Sequence, residues 1–145
     1  MGSLPHARHF RELNVYQKAS NVAHRIFELS KSFPREETYA LTDQMRRTSR
    51  SIGGQIAEAW GKRRYERHFL TKLTDADSEQ LETQHWILVA TGCGYLNGQQ
   101  ESALLRELEE IGRMLNSMME KAHTFCGPTT STVREDEDSY VLTDD

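Results

Sequence analysis

The sequence has few prolines and few cysteines, and cysteine is the residue that cross-links small secreted folds. It contains two cysteines and three prolines in 145 residues, and Cys93 and Cys126 form no CxxC pair. Two isolated cysteines indicate reduced thiols rather than a disulfide framework. The first residues, MGSLPHARHFREL, lack an apolar core of signal-peptide length. No window approaches the ~18 apolar residues that span a bilayer, so we expect a cytoplasmic protein.

Catalytic motifs are also missing. His24 and His68 are isolated from any nucleophile arrangement, and neither Ser51 nor Ser78 has an evident orienting acid. The Gly53-Gly54 pair lacks the lysine of a phosphate-binding loop. The sequence therefore predicts a protein that is not an enzyme and has no cofactor.

A di-metal centre is the sharpest catalytic alternative. Two Glu-x-x-His pairs have the spacing found in carboxylate-bridged di-iron bundles, and two further glutamates are available. These residues are Glu82, His85, Glu120, His123, Glu28 and Glu58. Counted from the turn that joins their helices, Glu82 is about 13 residues away and Glu120 about 25. That difference is roughly 18 Å of helix, whereas bridged metals lie ~3.5–4 Å apart. We expect no metal site, and bound iron or zinc in the purified protein would contradict this.

Apolar residues recur at three- and four-residue steps in four long segments, and no strand alternation competes with them. The pattern predicts helices over about 14–33, 37–62, 65–91 and 99–125, with an Asn14-x-x-Gln17 capping box at the first. Short turns between them predict an all-α, up-down-up-down antiparallel four-helix bundle. The predicted organisation is an N-terminal arm (1–12), the bundle (13–126) and an acidic Ser/Thr-rich tail (127–145).

The predicted core stripes follow the large apolar residues. In the first helix we expect Tyr16, Ala19, Ala23, Ile26/Phe27 and Ser30 to face inward, and in the third Phe69/Leu70, Leu73, Ala76, Leu81, Gln84 and Ile87/Leu88. The fourth helix presents Leu104/Leu105, Leu108, Ile111, Leu115, Met118/Met119 and Ala122. The Gly53-Gly54 pair predicts a bend or a close approach in the second helix.

Charge is unevenly distributed along the chain. Residues 46–67 carry seven basic and two acidic side chains, a net charge of +5, in a chain whose total is −4. Residues 127–145 carry a net charge of −5, so the tail accounts for the acidic balance. Matching opposite charges suggest that the tail covers the basic segment and competes with an anionic ligand. The candidate nucleic-acid contacts are phosphate-binding cations and one stacking aromatic: Arg46, Arg50, Lys62, Arg63, Arg64, Arg67 and Tyr65.

A polar line runs beside the core stripe of the second helix. Its members are Gln44, Arg47, Ser51, Gln55 and Glu58. A helix with one apolar and one mixed polar face suits burial against another subunit. An internal hydrogen-bond network explains the same pattern, and both interpretations stay open.

The second helix resembles a signature of the four-helix-bundle proteins encoded in intervening sequences of bacterial 23S ribosomal RNA genes. The matching residues are Leu41, Thr42, Gln44, Arg47, Ser51, Ile52, Ile56, Ala57 and Glu58. Phe10 and Leu13, the Phe33-Pro34 turn and the segment 80–84 also match, while Gln55 and Ala59 stand where the family has Asn and Gly.

The resemblance implies a homopentamer with a central channel. Related bundles are the accessory variability proteins of diversity-generating retroelements, which have basic surfaces and bind nucleic acid and a reverse transcriptase. By this resemblance we expect a non-enzymatic oligomeric accessory protein that binds RNA or DNA, with a reverse transcriptase as a candidate partner. The competing interpretation is a structural or protein–protein adaptor that binds no nucleic acid.

Overall fold

Four long helices and one short helix make up the part of the chain that the structure describes. The structure is a computed structural model, and it describes residues 7–127. The helices are α1 (Asn14–Ser30), α2 (Asp43–Gly61), α3 (Glu66–Gly92), α4 (Gly98–Glu120) and α5 (Ala122–Cys126). No strand occurs in this range, so the all-helical prediction is confirmed.

The four long helices surround one core. α1 packs on α2 and α4, and α3 packs on the same two helices, which is the neighbour order of a four-helix bundle. Each helix contributes aliphatic or aromatic side chains that are fully buried, among them Ile26, Ile52, Phe69, Leu73 and Leu108. The predicted apolar stripe of α4 is confirmed, with Leu105 and Met119 half-buried at its edge.

Helix starts differ from the sequence prediction. α1 does begin at Asn14, but its N-cap is Leu13, which supplies no side-chain cap, so the predicted Asn14 box is wrong. The Gln17 amide instead donates to the carbonyl oxygen of Arg11, 3.0 Å away. A complete capping box stands at Asn97 and Gln100, where each side chain accepts from the other's backbone N–H and fixes the start of α4.

The core faces of α1 and α3 match the predicted stripes in part. In α1 the predicted Ala19, Ile26 and Ser30 are buried, but Val15 and Val22 are buried too, whereas Tyr16 and Ala23 are half-buried. In α3 the predicted Phe69, Leu73, Ala76 and Ile87 are buried, whereas Leu81 and Leu88 are 55% and 50% exposed. Gln80 and Thr83 take the buried positions there. One residue turns a helix by about 100°, so a one-residue error moves a side chain from core to surface.

The connection into α2 is short and tightly packed. A 3₁₀ turn (Arg35–Glu37) and a π turn (Thr38–Thr42) follow Phe33-Pro34 and lead directly into α2. Phe33 is buried, and its ring centroid lies 5.3 Å from that of Tyr95 in the α3–α4 turn. The Tyr95 hydroxyl donates to Glu37 over 2.9 Å, which ties the two connections together at one end of the molecule.

α5 covers the opposite end of the molecule, where α3 begins. Its Phe125 ring stacks on Phe69 with centroids 5.8 Å apart. The predicted acidic tail begins here, and residues 128–145 lie outside the described range, as do residues 1–6 of the predicted arm. The rest of that arm forms a 3₁₀ turn (Phe10–Glu12), and Phe10 contacts the ring of Tyr16. Within residues 7–127, no helix has the length and apolarity to cross a membrane.

Candidate nucleic-acid interface

The six cations among the predicted nucleic-acid contacts fall into two groups at opposite ends of α2. Arg46 and Arg50 lie in the first half of the helix and form the α2 arginine pair. Lys62, Arg63, Arg64 and Arg67 surround the turn between α2 and α3, and we call them the basic turn. Arg46 and Arg63 are 17 positions apart along the chain, roughly 26 Å at the rise of an α-helix. The basic segment of the sequence therefore forms two surfaces rather than one.

The α2 arginine pair is anchored on α1 through an aromatic ring. The guanidinium carbons of Arg46 and Arg50 lie 4.7 and 5.4 Å from the centroid of Phe27, and Lys31 Nζ lies 5.0 Å from it. Arg46 Nε also donates to the Ser30 hydroxyl over 2.8 Å. Three cations around one half-buried ring are held in place by cation–π attraction before any ligand arrives.

A shallow groove of about 460 Å³ runs along the seam of α1 and α2 beside this ring. Small residues form its floor, because Gly53 and Gly54 come from α2 and Ala19 and Ala23 from α1. Gly53 has a packing reason to be glycine, since a Cβ there would lie 3.3 Å from Tyr16 Cε1. The group that approaches the glycine pair closely is therefore the ring of Tyr16. Arg50 also lines the groove.

The basic turn is packed more tightly than its composition suggests. Arg63 stacks on Trp60 at 3.5 Å, and its Nε donates to the Trp60 carbonyl oxygen over 2.8 Å. Burial lowers the pKa of the Arg63 guanidinium. Lys62 and Arg67 have partners of their own. Arg64 is exposed, with its guanidinium carbon 5.7 Å from the ring of Tyr65.

Tyr65 does not serve the role expected from the sequence. The residue is the N-cap of α3, and it is only 5% exposed. Its ring is part of the protein interior, so stacking of a base on it would require the start of α3 to open. We correct the predicted site by removing Tyr65 and treating Arg63 as a packing residue.

Three cations on other faces form ion pairs with nearby acids. Lys18 pairs with Glu110 at 3.3 Å, Arg25 pairs with Glu107, and Lys72 pairs with Glu58 at 2.8 Å. The hydrogen bond to Glu58 raises the pKa of Lys72. By contrast, no carboxylate of residues 7–127 forms an ion pair with Arg46, Arg50 or Arg64. The positive charge of this region is therefore available to an external anion.

The polar line of α2 lies along its seam with α3. Glu58 reaches Lys72, and Arg47 lies close enough to Glu79 to oppose the upward pKa shift that burial gives this carboxyl. Gln44 and Ser51 are half-buried. The side-chain oxygen of Gln55 is buried without a hydrogen-bond partner in the described part of the chain. Two members of the line therefore interact with α3, and burial against another subunit stays a prediction.

Several polar residues lie inside the bundle. Thr83 contacts Thr48 through their hydroxyls, 3.1 Å apart, between α3 and α2. Gln84 donates to Gln80, and Gln80 donates to Asp77, along the side of α3 that faces α4. Their i, i+3 and i+4 spacing could have indicated a ladder, but only the structure shows that Gln80 is buried in it.

The remaining titratable groups are dispersed. Among residues 7–127, no three His, Cys, Asp or Glu side chains come together as a metal-binding group. His24 and His85 are exposed, and their contacts are with neighbours on their own helices. The chemistry that this surface offers is electrostatic contact by guanidinium groups.

Comparison with known proteins gives a family and a fold neighbour. Residues 11–117 match the family described as 23S rRNA-intervening sequence protein. A protein of unknown function from the S23 ribosomal protein family of Bacteroides thetaiotaomicron is similar in structure, with a TM-score of 0.66 and 28% sequence identity. The similarity covers 73% of this chain and 95% of that protein. No curated protein sequence matches.

Proposed function

Because the chain belongs to the 23S rRNA-intervening sequence protein family, we propose that it is a non-enzymatic accessory protein that binds RNA or DNA through a basic surface. The observation that carries the proposal is the lack of acidic partners for Arg46, Arg50 and Arg64 within residues 7–127. By contrast, Lys18, Arg25 and Lys72 are paired with carboxylates. A guanidinium without a carboxylate partner keeps its donors for phosphate oxygens.

The arrangement of the arginines favours a long anion over a compact one. The α2 arginine pair and Arg64 lie toward opposite ends of a 19-residue helix, a separation of roughly 20–27 Å. A polynucleotide places a phosphate every few ångströms and contacts both surfaces at once, whereas a single small anion contacts one. Phosphate contacts of this kind bind and position a nucleic acid without reading its sequence.

The resemblance to retroelement accessory proteins extends the proposal to assembly and to a protein partner. We propose a homopentamer, in which five copies multiply the number of cations that one nucleic acid meets and so raise its affinity by avidity. Gln55 is half-buried on the polar line of α2, and it is the position at which we expect contact with a neighbouring copy. A reverse transcriptase is the candidate protein partner, and co-purification from the native host tests it.

The central experiment compares RNA binding of the full chain with that of an Arg50→Gln/Arg64→Gln variant. The subunit count is first fixed by light scattering, and the binding of a labelled structured RNA is then measured across a salt series. We expect the wild-type affinity to fall steeply with salt, with a slope of about −0.9 per neutralised phosphate. Loss of both arginines should weaken binding and reduce the slope by about two per chain that contacts RNA.

The matched control is Arg106→Gln/Arg113→Gln, which removes the same charge from exposed positions on α4. It should change the salt slope less than the test variant does. Equal effects of the two variants would show that only net charge matters, and this would contradict a defined basic surface. Absence of RNA and DNA binding at low salt would remove the nucleic-acid function altogether.

A structural or protein–protein adaptor is the second candidate, and one observation favours it. Leu81 and Leu88 are half-exposed and lie seven positions apart on α3, so they face the same way. An apolar pair of this kind suits a partner protein. Leu81→Ser/Leu88→Ser separates the two functions: an adaptor loses its partner, whereas an RNA-binding protein keeps its affinity and its salt slope.

A further inference from the structure

A second pocket, of about 430 Å³, lies where α1 ends and the chain enters α2. Its walls combine three cations, three hydroxyl-bearing residues and two phenylalanines with no acidic residue. The lining residues are Phe27, Ser30, Lys31, Phe33, Arg35, Thr38, Thr42 and Arg46. This composition differs from that of the groove along the α1–α2 seam, whose floor is alanine, glycine and serine.

One hydroxyl at this pocket lacks a hydrogen-bond partner. Thr42 lines the pocket and is 6% exposed. Its Oγ1 is buried and forms no hydrogen bond within residues 7–127. A buried hydroxyl without an acceptor is unfavourable, and a bound water or ion is one explanation for such a group in a folded protein. Thr42 is therefore prepared to donate to an acceptor that enters the pocket.

The cations around Thr42 retain donors of their own. Arg46 uses Nε on Ser30 and Nη2 on the Phe27 carbonyl oxygen, at 2.8 and 3.5 Å. A guanidinium has five N–H donors, so most of the Arg46 donors remain free while the position of the group is fixed. Lys31 is paired with Glu28 at 3.3 Å, which leaves two further N–H donors on its ammonium. Arg35 is exposed at the entrance and forms no ion pair in the part of the chain that the structure describes.

We propose that this pocket binds a phosphate group. A phosphate offers only acceptors at neutral pH, and it matches a site built from guanidinium, ammonium and hydroxyl donors. The phosphate comes either from a polynucleotide, which makes the pocket part of the nucleic-acid surface, or from a nucleotide or free phosphate, which makes it independent of that surface. Arg46 belongs to both sites, whereas Thr42 and Arg35 belong to this pocket alone.

The test measures phosphate binding by the full chain through ³¹P line broadening, with inorganic phosphate as the first probe. Thr42→Val keeps the shape of the side chain and removes the hydroxyl. It should weaken phosphate binding about tenfold, the effect of losing one hydrogen bond to a charged acceptor. Thr42→Ser retains the hydroxyl and should bind within about twofold of wild type.

Arg35→Gln should also weaken binding, whereas Arg113→Gln, an exposed position on α4 outside the pocket, should not. Melting temperatures guard against misfolding, because Thr42→Val removes an unpaired hydroxyl and should melt no lower than wild type. No broadening with wild-type protein, or equal broadening with Thr42→Val, would overturn the phosphate site.

The same variants are then titrated with adenosine monophosphate and with a single-stranded RNA. If the phosphate belongs to a polynucleotide, Thr42→Val weakens RNA binding as well. If it belongs to a small molecule, Thr42→Val weakens only phosphate and the nucleotide. Failure of the nucleic-acid function is separately visible, because Arg50→Gln/Arg64→Gln affects RNA while leaving inorganic phosphate binding unchanged.

Discussion

The hydroxyls of Thr48 and Thr83 lie 3.1 Å apart at the seam of α2 and α3, deep inside the bundle. Each also contacts a carbonyl oxygen one turn earlier in its own helix, Gln44 O at 2.9 Å for Thr48 and Glu79 O at 2.8 Å for Thr83. Their two hydroxyl protons serve these three contacts, so each buried side chain has at least one hydrogen-bond partner. The contact joins α2 to α3.

A double-mutant cycle measures this pair. Thr48→Val and Thr83→Val should each lower the free energy of unfolding by about 1–2 kcal/mol, since each leaves a buried hydroxyl with a poorer partner. The double variant should lose less than the sum, because it removes both groups together. Urea unfolding of the four proteins tests this prediction, and strict additivity would show that the hydroxyls do not interact.

Replacement by alanine should change the stability of the fold in opposite directions at two glycines. A Cβ on Gly112 would lie 2.9 Å from Gln80 Nε2, and Gln80 is held by Asp77 and Gln84. Gly112→Ala should therefore destabilise the fold by about 1–3 kcal/mol through overpacking. Within residues 7–127, no neighbouring atom would lie within 4 Å of a Cβ added at Gly54. Gly54→Ala should therefore stabilise the fold by about 0.5–1 kcal/mol, because alanine has the higher helix propensity. If Gly112→Ala and Gly54→Ala changed the melting temperature in the same direction, the close contact at Gly112 would be contradicted.

Tyr95 should give the chain a stability change at high pH. Its hydrogen bond to Glu37 raises the pKa of the Tyr95 hydroxyl to about 12, against about 10 in the unfolded chain. Between these values the folded state binds the proton and the unfolded state does not. The contribution is therefore complete below pH 10 and is lost as the pH rises toward 12.

Absorbance titration of tyrosinate near 295 nm tests the shift, with Glu37→Gln as the comparison. The substitution removes the negative charge beside the phenol, and the highest tyrosine pKa should fall toward 10. Tyr95→Phe should show a weaker loss of stability over pH 10–12 than wild type. An unchanged titration in Glu37→Gln would exclude the carboxylate as the cause.

Gln55 tests the proposed assembly. Its side-chain oxygen is buried and unpaired within residues 7–127. Gln55→Met keeps the volume and removes the polar group, so an isolated chain should become no less stable. If a neighbouring copy contacts the exposed part of the Gln55 side chain, the variant should dissociate at higher protein concentration than wild type. Light scattering over a dilution series measures this, and identical dissociation would place the subunit contact elsewhere.

Sequence patterning predicted the elements of this fold better than their faces. The stripe of α4 was correct because its large apolar residues are also its buried ones. In α3, Leu81 and Leu88 looked like core residues, but Gln80 and Thr83 are buried in their place. Partners from other turns and helices satisfy these polar groups, Asp77 and Gln84 for Gln80 and Thr48 for Thr83. Sequence spacing could indicate Asp77 and Gln84 as partners, but it does not show that Gln80 is buried or that Thr48 meets Thr83.

For the candidate site, too, the sequence predicted which residues are charged but not what their side chains contact. Counting charges placed Arg46, Arg50 and Arg64 in a basic segment, because net charge is a sequence property. It could not show that Arg63 stacks on Trp60 or that Tyr65 is buried. The Thr42 pocket was not expected at all, since it forms only when the end of α1 meets the start of α2.

The two cysteines lie at opposite ends of the bundle and differ in their exposure to solvent. Cys93 is exposed in the turn after α3, whereas Cys126 is buried in α5 beside the start of that helix. A maleimide dye should therefore react at Cys93 first. α3 has 27 residues, so the dye would stand roughly 40 Å from the basic turn. It would stand much closer to the Thr42 pocket, because Phe33 of that pocket contacts Tyr95. Energy transfer from this dye to a labelled ligand would report which end of the bundle the ligand occupies.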